Sequence, residues 1–410
     1  MEVSTDKNPS VIFIGTLVPD TPEFQNPALG SSGLLVQEGI VEGLLKQDIP
    51  VRILSSQPMP SFPNYKALIC KRKKILYKPG AVLITLPALN ILVIRELMRG
   101  FYALFSIMLW ALKNAGKKRC ILLYGVYSPP LPIVYLAGKL TRTRVVPILM
   151  DLGMPPKKLK LGKMRMSIYA SVEFFARLLI PRVSGRIVIN DYVAEDYAPG
   201  KHFLLVDGGI SNSVISRLFD LNEEKRHPET IFLCAGALWP INGTQVVLDA
   251  MRINENPNVN VWFAGKGIDL PLITEAEAKD DRIKYLGMLT LDQLFSYYKQ
   301  SDVLMNIRVT EPDECRYLFP SKFFEYLATG KYVLTTSVAH LERDYGGMCT
   351  VLPDTSAGML AKTMDGIAGL PKEVLLEKGA RARRYMLENR TWESQSARIA
   401  DYLRNTVLIG

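Results

Sequence analysis

The chain has 410 residues, more than one hydrophobic core ordinarily supports, so two domains of ordinary size are expected. Its 48% hydrophobic and 22% charged residues are those of a globular protein, and the lack of low-complexity tracts and of a fixed-period repeat excludes a disordered arm and a repeat array. A formal net charge of +10 keeps anionic partners in view.

The polar start MEVSTDKNPS lacks the charged-then-apolar order of a secretory signal and runs straight into VIFIGT (11–16), which reads as a buried strand. A helix over 30–47 follows, with Leu34, Leu35, Ile40, Val41, Leu44 and Leu45 at helical spacing, and then strand VRILSS (51–56). Two apolar strands joined by a helix predict parallel pairing covered on both faces. Next come the cationic stretch KRKKILYK (71–78), a helix over 91–113, strand CILLYG (120–125), a helix over 131–141 and strand VVPILM (145–150). A second cationic stretch, PPKKLKLGKMR (155–165), leads into a long helix near 163–180 and strand RIVIND (186–191). The longest apolar run, FYALFSIMLWAL (101–112), is about half of the roughly 20 residues that a membrane span needs, so a buried or interfacial helix is expected.

The alternation restarts after a charged stretch, which predicts a first domain over 1–210, a linker over 211–229 and a second domain over 230–390. Its elements are strand TIFLCAG (230–236), a helix over 243–253, strands VNVWFAG (259–265) and IKYLG (283–287), a helix over 291–300, strand DVLMNI (302–307), a helix within 319–331 and strand KYVLTTS (331–337). The fold class is therefore α/β, with two doubly wound, Rossmann-like domains facing each other across a cleft and ligands at the strand C-termini.

The five cysteines, Cys70, Cys120, Cys234, Cys315 and Cys349, form no close pair, which fits a reducing cytosol better than a disulfide framework or a zinc knuckle. Both cationic stretches interleave Lys and Arg with Leu, Ile, Met and Tyr. That mixture suits an anionic membrane surface, and equally a solvated basic loop; no nucleic-acid motif accompanies it.

The stretch FPSKFFEYLATGK (319–331) carries the most chemistry. Ser321 is the expected N-cap of a short helix that Gly330 ends. A capping box would need its acid at Phe324, yet the carboxylate is Glu325, so local capping does not explain it. The first-turn amides, the Ser321 hydroxyl and the Lys322 ammonium make an anion site suited to phosphate. Glu325, one turn in, is placed to accept two hydrogen bonds from a vicinal diol such as a ribose; alternatively it forms an i, i+3 surface pair with Lys322.

In order, the strand with AGAL and NG (235–243), FAGKG (263–267), YLGML (285–289) and FPSKFFEYLATGKYVL (319–334) resemble the donor domain of retaining glycosyltransferases of the GT-B fold, the large family 4 group. DIPVRIL (48–54) with the preceding glycine loop, VDGGIS (206–211) and TWESQSARIADYL (391–403) extend the likeness over most of the chain, the last resembling a final helix (391–406) that packs back on the first domain. The resemblance implies that Glu325 holds the nucleotide ribose, that Ser321, Lys322 and Phe323 form the helix start under the diphosphate, and that Gly236, Gly265, Gly267 and Gly287 lie where backbone approaches the donor. It implies that Gly30, Ser31, Ser32 and Gly33 close on the phosphates from the first domain. Two positions depart from the pattern: Tyr317 stands where the first glutamate of the family's pair would be, and Asn242 where a lysine would be. Neutralisation of the diphosphate then falls on Lys322, with Lys266, Arg308 or Arg316.

Transfer with retention needs negative charge on the departing diphosphate to be stabilised, which Lys322, helix amides and a glycine loop supply without a metal; neither domain contains an Asp-x-Asp pair, and no cofactor is expected beyond a UDP- or GDP-linked sugar as co-substrate. Asp151, ending VVPILM, is the candidate for acceptor contact or else a loop carboxylate. The expectation is a cytoplasmic enzyme, peripheral on the inner face of the membrane, docking through Lys71–Lys78 and Lys157–Arg165 and passing a sugar to a lipid-linked or saccharide acceptor. A nucleotide-sugar epimerase of the same fold would need several acid–base groups, and only His202, His227 and His340 are histidines. A catalytically silent nucleotide-sugar-binding subunit is the alternative that Tyr317 and Asn242 favour.

Overall fold

The computed structural model describes residues 8–24, 31–150, 163–220, 227–309, 317 and 319–409. The chain divides into two compact units: unit 1 comprises Met1–Gly209 and Trp392–Gly410, unit 2 Ile210–Thr391.

Unit 1 is built on an eight-stranded sheet. In chain order its elements are β1 (Ser10–Gly15), α1 (Ser31–Lys46), β2 (Val51–Ser55), β3 (Ile69–Cys70), β4 (Lys74–Lys78), β5 (Ala81–Thr85), β6 (Ala88–Leu89), α2 (Leu92–Lys113), β7 (Arg119–Tyr124), α3 (Leu131–Thr141), β8 (Arg144–Leu149), α4 (Lys163–Leu179), β9 (Ile187–Val188), α5 (Asp191–Tyr197) and β10 (Leu204–Leu205). The sheet order is β10-β9-β8-β7-β1-β2-β5-β4, while β3 and β6 form a separate pair. Strand β1 is buried along its whole length and pairs in parallel with β2 and β7, as an apolar run covered by helices on both faces should.

Three features differ from the reading of the sequence. The cationic stretch 71–78 contains an edge strand, β4, antiparallel to β5; Lys73 pairs with Glu23 and Lys78 with Glu42, and such lysines guard an exposed edge. The strand expected over 186–191 is only two residues long, because Asn190 accepts the Val193 N–H at 3.1 Å and starts α5. Residues 211–220, read as linker, contain a helix.

Unit 2 comprises α6 (Asn212–Asp220), β11 (Thr230–Ala237), α7 (Thr244–Ile253), β12 (Val259–Lys266), α8 (Leu270–Glu277), β13 (Ile283–Tyr285), α9 (Leu291–Gln300), β14 (Val303–Asn306), α10 (Ser321–Thr329), β15 (Tyr332–Thr336), α11 (Leu341–Tyr345), β16 (Thr350–Leu352), α12 (Ala357–Ala368) and α13 (Lys372–Asn389). Its six strands are all parallel, in the order β13-β12-β11-β14-β15-β16, with apolar layers on both faces.

The chain then re-enters unit 1 as α14 (Trp392–Tyr402), which packs on α1. The two helices approach closely because α1 carries glycines there: a Cβ at Gly39 would lie 2.2 Å from Trp392 and one at Gly43 2.1 Å from the Ser396 hydroxyl. Cys70, Cys120, Cys234 and Cys349 are free thiols. Among the described residues no helix is long and apolar enough to cross a membrane.

Candidate functional site

At the C-terminal ends of β11 and β14, a cavity of about 170 Å³ opens in unit 2. Its wall includes Gly236, Ala237, Leu238, Asn242, Thr244, Asn306, Arg308, Ser321, Lys322 and Tyr326. Two helices begin there, α7 at Thr244 and α10 at Ser321, so first-turn amides and the positive ends of two helix dipoles flank it. The volume is below the ~300 Å³ of a drug-sized ligand pocket, so the cavity encloses only part of a ligand of that size.

Lys322 sets the electrostatics. Its ammonium donates to the Ala235 carbonyl at 2.7 Å, and the same carbonyl accepts the Tyr326 hydroxyl at 3.0 Å. Burial pushes the Lys322 pKa down, the Glu325 carboxylate pulls it back up, and the Arg308 guanidinium lowers it further. Two cations held close in a partly desolvated wall favour an anion between them.

The backbone yields room for this arrangement. Gly236 has φ 138°, and a Cβ there would sit 2.3 Å from the Lys322 nitrogen. Its register partner on β12, Gly265, has φ 128°, and a Cβ there would meet the Gly236 carbonyl oxygen at 1.8 Å. Only glycine fits at either position.

Glu325 lies on the next turn of α10, half-buried and outside the cavity wall; it accepts the Tyr298 hydroxyl at 2.7 Å. Burial, then the Tyr326 and Glu325 charges, raise the Tyr298 pKa, so the phenol remains a donor to Glu325. Tyr298 and Tyr326 meet edge to face at 5.5 Å, linking the carboxylate to the cavity floor.

Of the residues singled out from the sequence, Gly236, Asn242, Arg308, Ser321 and Lys322 meet around the cavity. Ser321 is not the N-cap: Pro320 is, with no side-chain cap, and its carbonyl accepts the Phe323 N–H at 3.0 Å, which leaves Ser321 exposed as the first helical residue. The Phe323 ring is fully buried against Phe319 and Tyr345, so only its backbone faces the helix start. Asn242 donates to the Ala237 carbonyl at 2.6 Å and closes the turn before α7. Gly265, Lys266 and Gly267 line the end of the neighbouring strand β12, with the Lys266 side chain exposed and its carbonyl accepting the Leu238 N–H. The Gly287 carbonyl accepts the Gly265 N–H at 2.9 Å.

In unit 1, Ser31, Ser32 and Gly33 form the first turn of α1. Buried Gln37 ties that turn to the end of β1: it accepts the Thr16 N–H at 2.7 Å and donates to the Thr16 hydroxyl and the Gly33 carbonyl, each at 2.9 Å. Gly30, Asp151 and Arg316 lie outside the described residues. Sequence reasoning missed Thr244, Asn306 and Tyr326 in the cavity wall; Asn306, at the carboxyl end of β14, was within reach of the strand-end rule.

Residues 229–368 match the family Glycosyl transferases group 1. No curated protein matches the chain by sequence. Among solved structures, a glycosyltransferase from Rickettsia africae superposes with a TM-score of 0.65 at 15% identity, covering 97% of this chain and 99% of that one. Sucrose-phosphate synthase from Thermosynechococcus elongatus gives 0.62 at 15% identity, covering 96% and 98%. Anabaena HepE, solved in complex with UDP, gives 0.62 at 13% identity, covering 96% and 99%. The chain thus has an α/β fold similar to that of the GT-B glycosyltransferases, and its segment 229–368, which includes all the lining residues of the cavity, matches the group 1 glycosyl transferases.

Proposed function

We propose that this chain is a glycosyltransferase that takes a nucleotide sugar as donor and passes the sugar to an acceptor with retention of configuration. The observation that supports it best is the cavity in which Lys322 and Arg308 face two helix N-termini at the ends of parallel strands, inside the segment that matches the family. As the bond from the sugar to the nucleotide breaks, charge grows on the diphosphate; Lys322, Arg308 and the first amides of α10 meet it there. Glu325 takes the ribose diol and keeps its Tyr298 hydrogen bond on the other oxygen. No metal or cofactor is required for this division of labour. The donor in this reading is a UDP- or GDP-linked sugar; HepE was solved with UDP and with UDP-glucose. The acceptor in this reading is lipid-linked or a saccharide, with Asp151 as its contact and the glycine turn at Gly30–Gly33 closing on the phosphates.

The test is to incubate the protein and membranes with a panel of nucleotide sugars and follow nucleotide release. Release that depends on acceptor is the expected result. Isomerised sugar without acceptor would indicate an epimerase. Binding without turnover would indicate a silent nucleotide-sugar-binding subunit, the second reading, which is favoured by Tyr317 and by an Asn242 whose amide is committed to the Ala237 carbonyl.

A further inference from the structure

Helix α2 is apolar on both sides. Its inner side, with Ala103, Ile107 and Trp110, is buried. On the outer side Leu97, Phe101, Phe105, Leu109 and Leu112 recur every three or four residues, the last four with 55%, 60%, 61% and 74% of their surface exposed. A helix that is hydrophobic all round is normally buried all round, and α2, about 33 Å long, is not. The exposed stripe is also not alone. α2 packs beside α3, and α3 beside α4; Leu136 and Leu140 on α3 and Phe174 on α4 are exposed as well. Phe101, Phe105 and Phe174 alone, at roughly 150–250 Å² for a whole aromatic side chain and more than half exposed, present a few hundred Å², and the five leucines carry the apolar surface beyond what is typical of a monomer.

Charge says what covers this face. The three helices contain only two acids, Glu96 and Glu173, and both are engaged, Glu96 by Arg95 and Ser128, Glu173 by Arg177 and Tyr197. At the C-terminal ends of α3 and α4, Lys139, Arg142, Arg144 and Arg182 surround a cavity of about 380 Å³ with no carboxylate among its described lining residues. Apolar bulk edged by cations, with acids neutralised, is complementary to acyl chains beneath phosphate headgroups and not to an ordinary protein surface of mixed charge. The Lys71–Lys78 stretch is the weaker candidate, since Lys73 and Lys78 are already paired with Glu23 and Glu42.

We propose that the outer face of α2, α3 and α4 seats on an anionic lipid bilayer, with the cavity between Lys139, Arg142, Arg144 and Arg182 receiving a lipid phosphate. The inference does not depend on sugar transfer, because it is read by vesicle binding without nucleotide. The experiment is flotation of the full-length protein with phosphatidylcholine vesicles, with and without phosphatidylglycerol. Wild type is expected to float with the mixed vesicles. Phe105→Asp or Leu109→Asp should lower the bound fraction about tenfold with the thermal midpoint unchanged, since both side chains already face water. Arg142→Gln combined with Arg182→Gln should remove about fivefold per cation, and only on vesicles that contain phosphatidylglycerol. Failure of wild type to float, equal flotation of the Asp variants, or a dimer in light scattering that Phe105→Asp dissociates would overturn the bilayer proposal. An unchanged preference for phosphatidylglycerol in the double variant would overturn the role of the cavity.

Discussion

Lys322 joins two properties that rarely coexist on a surface lysine: a fixed position, given by the Ala235 carbonyl, and a pKa lowered by burial. Replacing it with Met keeps the stem and removes the charge; in the proposed reaction kcat should fall about 10²–10³-fold, as for other groups that stabilise developing negative charge. The pH profile follows from the sign of the shift. An anion favours the protonated form, so UDP affinity is held below the lowered pKa and is lost as pH rises through it, earlier than an ordinary lysine near 10.4 would allow. Titrating UDP binding across alkaline pH checks this, and the alkaline fall should vanish in Lys322→Met. Glu325→Ala removes a charged acceptor worth about 1.5–3 kcal/mol to a neutral donor, and should weaken nucleotide binding tenfold or more. A dissociation constant equal to wild type would remove Glu325 from the site. Gly236→Ala should act through Lys322, since the new methyl group would occupy the place of the ammonium.

At the scale of elements, what could be read from the sequence was the set of buried parallel strands. Runs such as VIFIG and IFL are apolar at every position because both faces are covered, and their shortness between turn signals sets them apart from buried helix segments. The stretch 57–90 was opaque for the opposite reason. In β4 the charged residues sit at an edge and Leu76 faces water, so no two-residue alternation marks the strand. The site was legible in part. Lys322, Ser321 and the glycines announce themselves by their type beside a helix start, whereas the hydroxyl that holds Glu325 comes from Tyr298, on a different helix, and only the fold brings them together. The C-terminal helix had a sequence signature, but its anchor is a packing fact: Trp392 is buried against the glycine face of α1. Trp392→Ala should cost unit 1 about 3–5 kcal/mol, seen as a lower midpoint in chemical denaturation, because a large cavity opens where the helices have no side chains to collapse into it.

Over the whole molecule, the division into units does not follow chain order. Unit 2 is one continuous segment, whereas unit 1 is completed by residues that come after it. Deleting 392–410 should therefore abolish the cooperative unfolding of unit 1 and yet spare most of the expected UDP-induced thermal shift, since Lys322, Arg308 and Glu325 belong to unit 2. Calorimetry with and without UDP separates the two transitions.

The late return of α14 also has a consequence for synthesis. At about 5–20 residues per second, the roughly 180 residues of unit 2 take on the order of ten to forty seconds to emerge, and for that time the glycine groove of α1 waits uncovered. The second unit can close on itself first, and the one made first is sealed last.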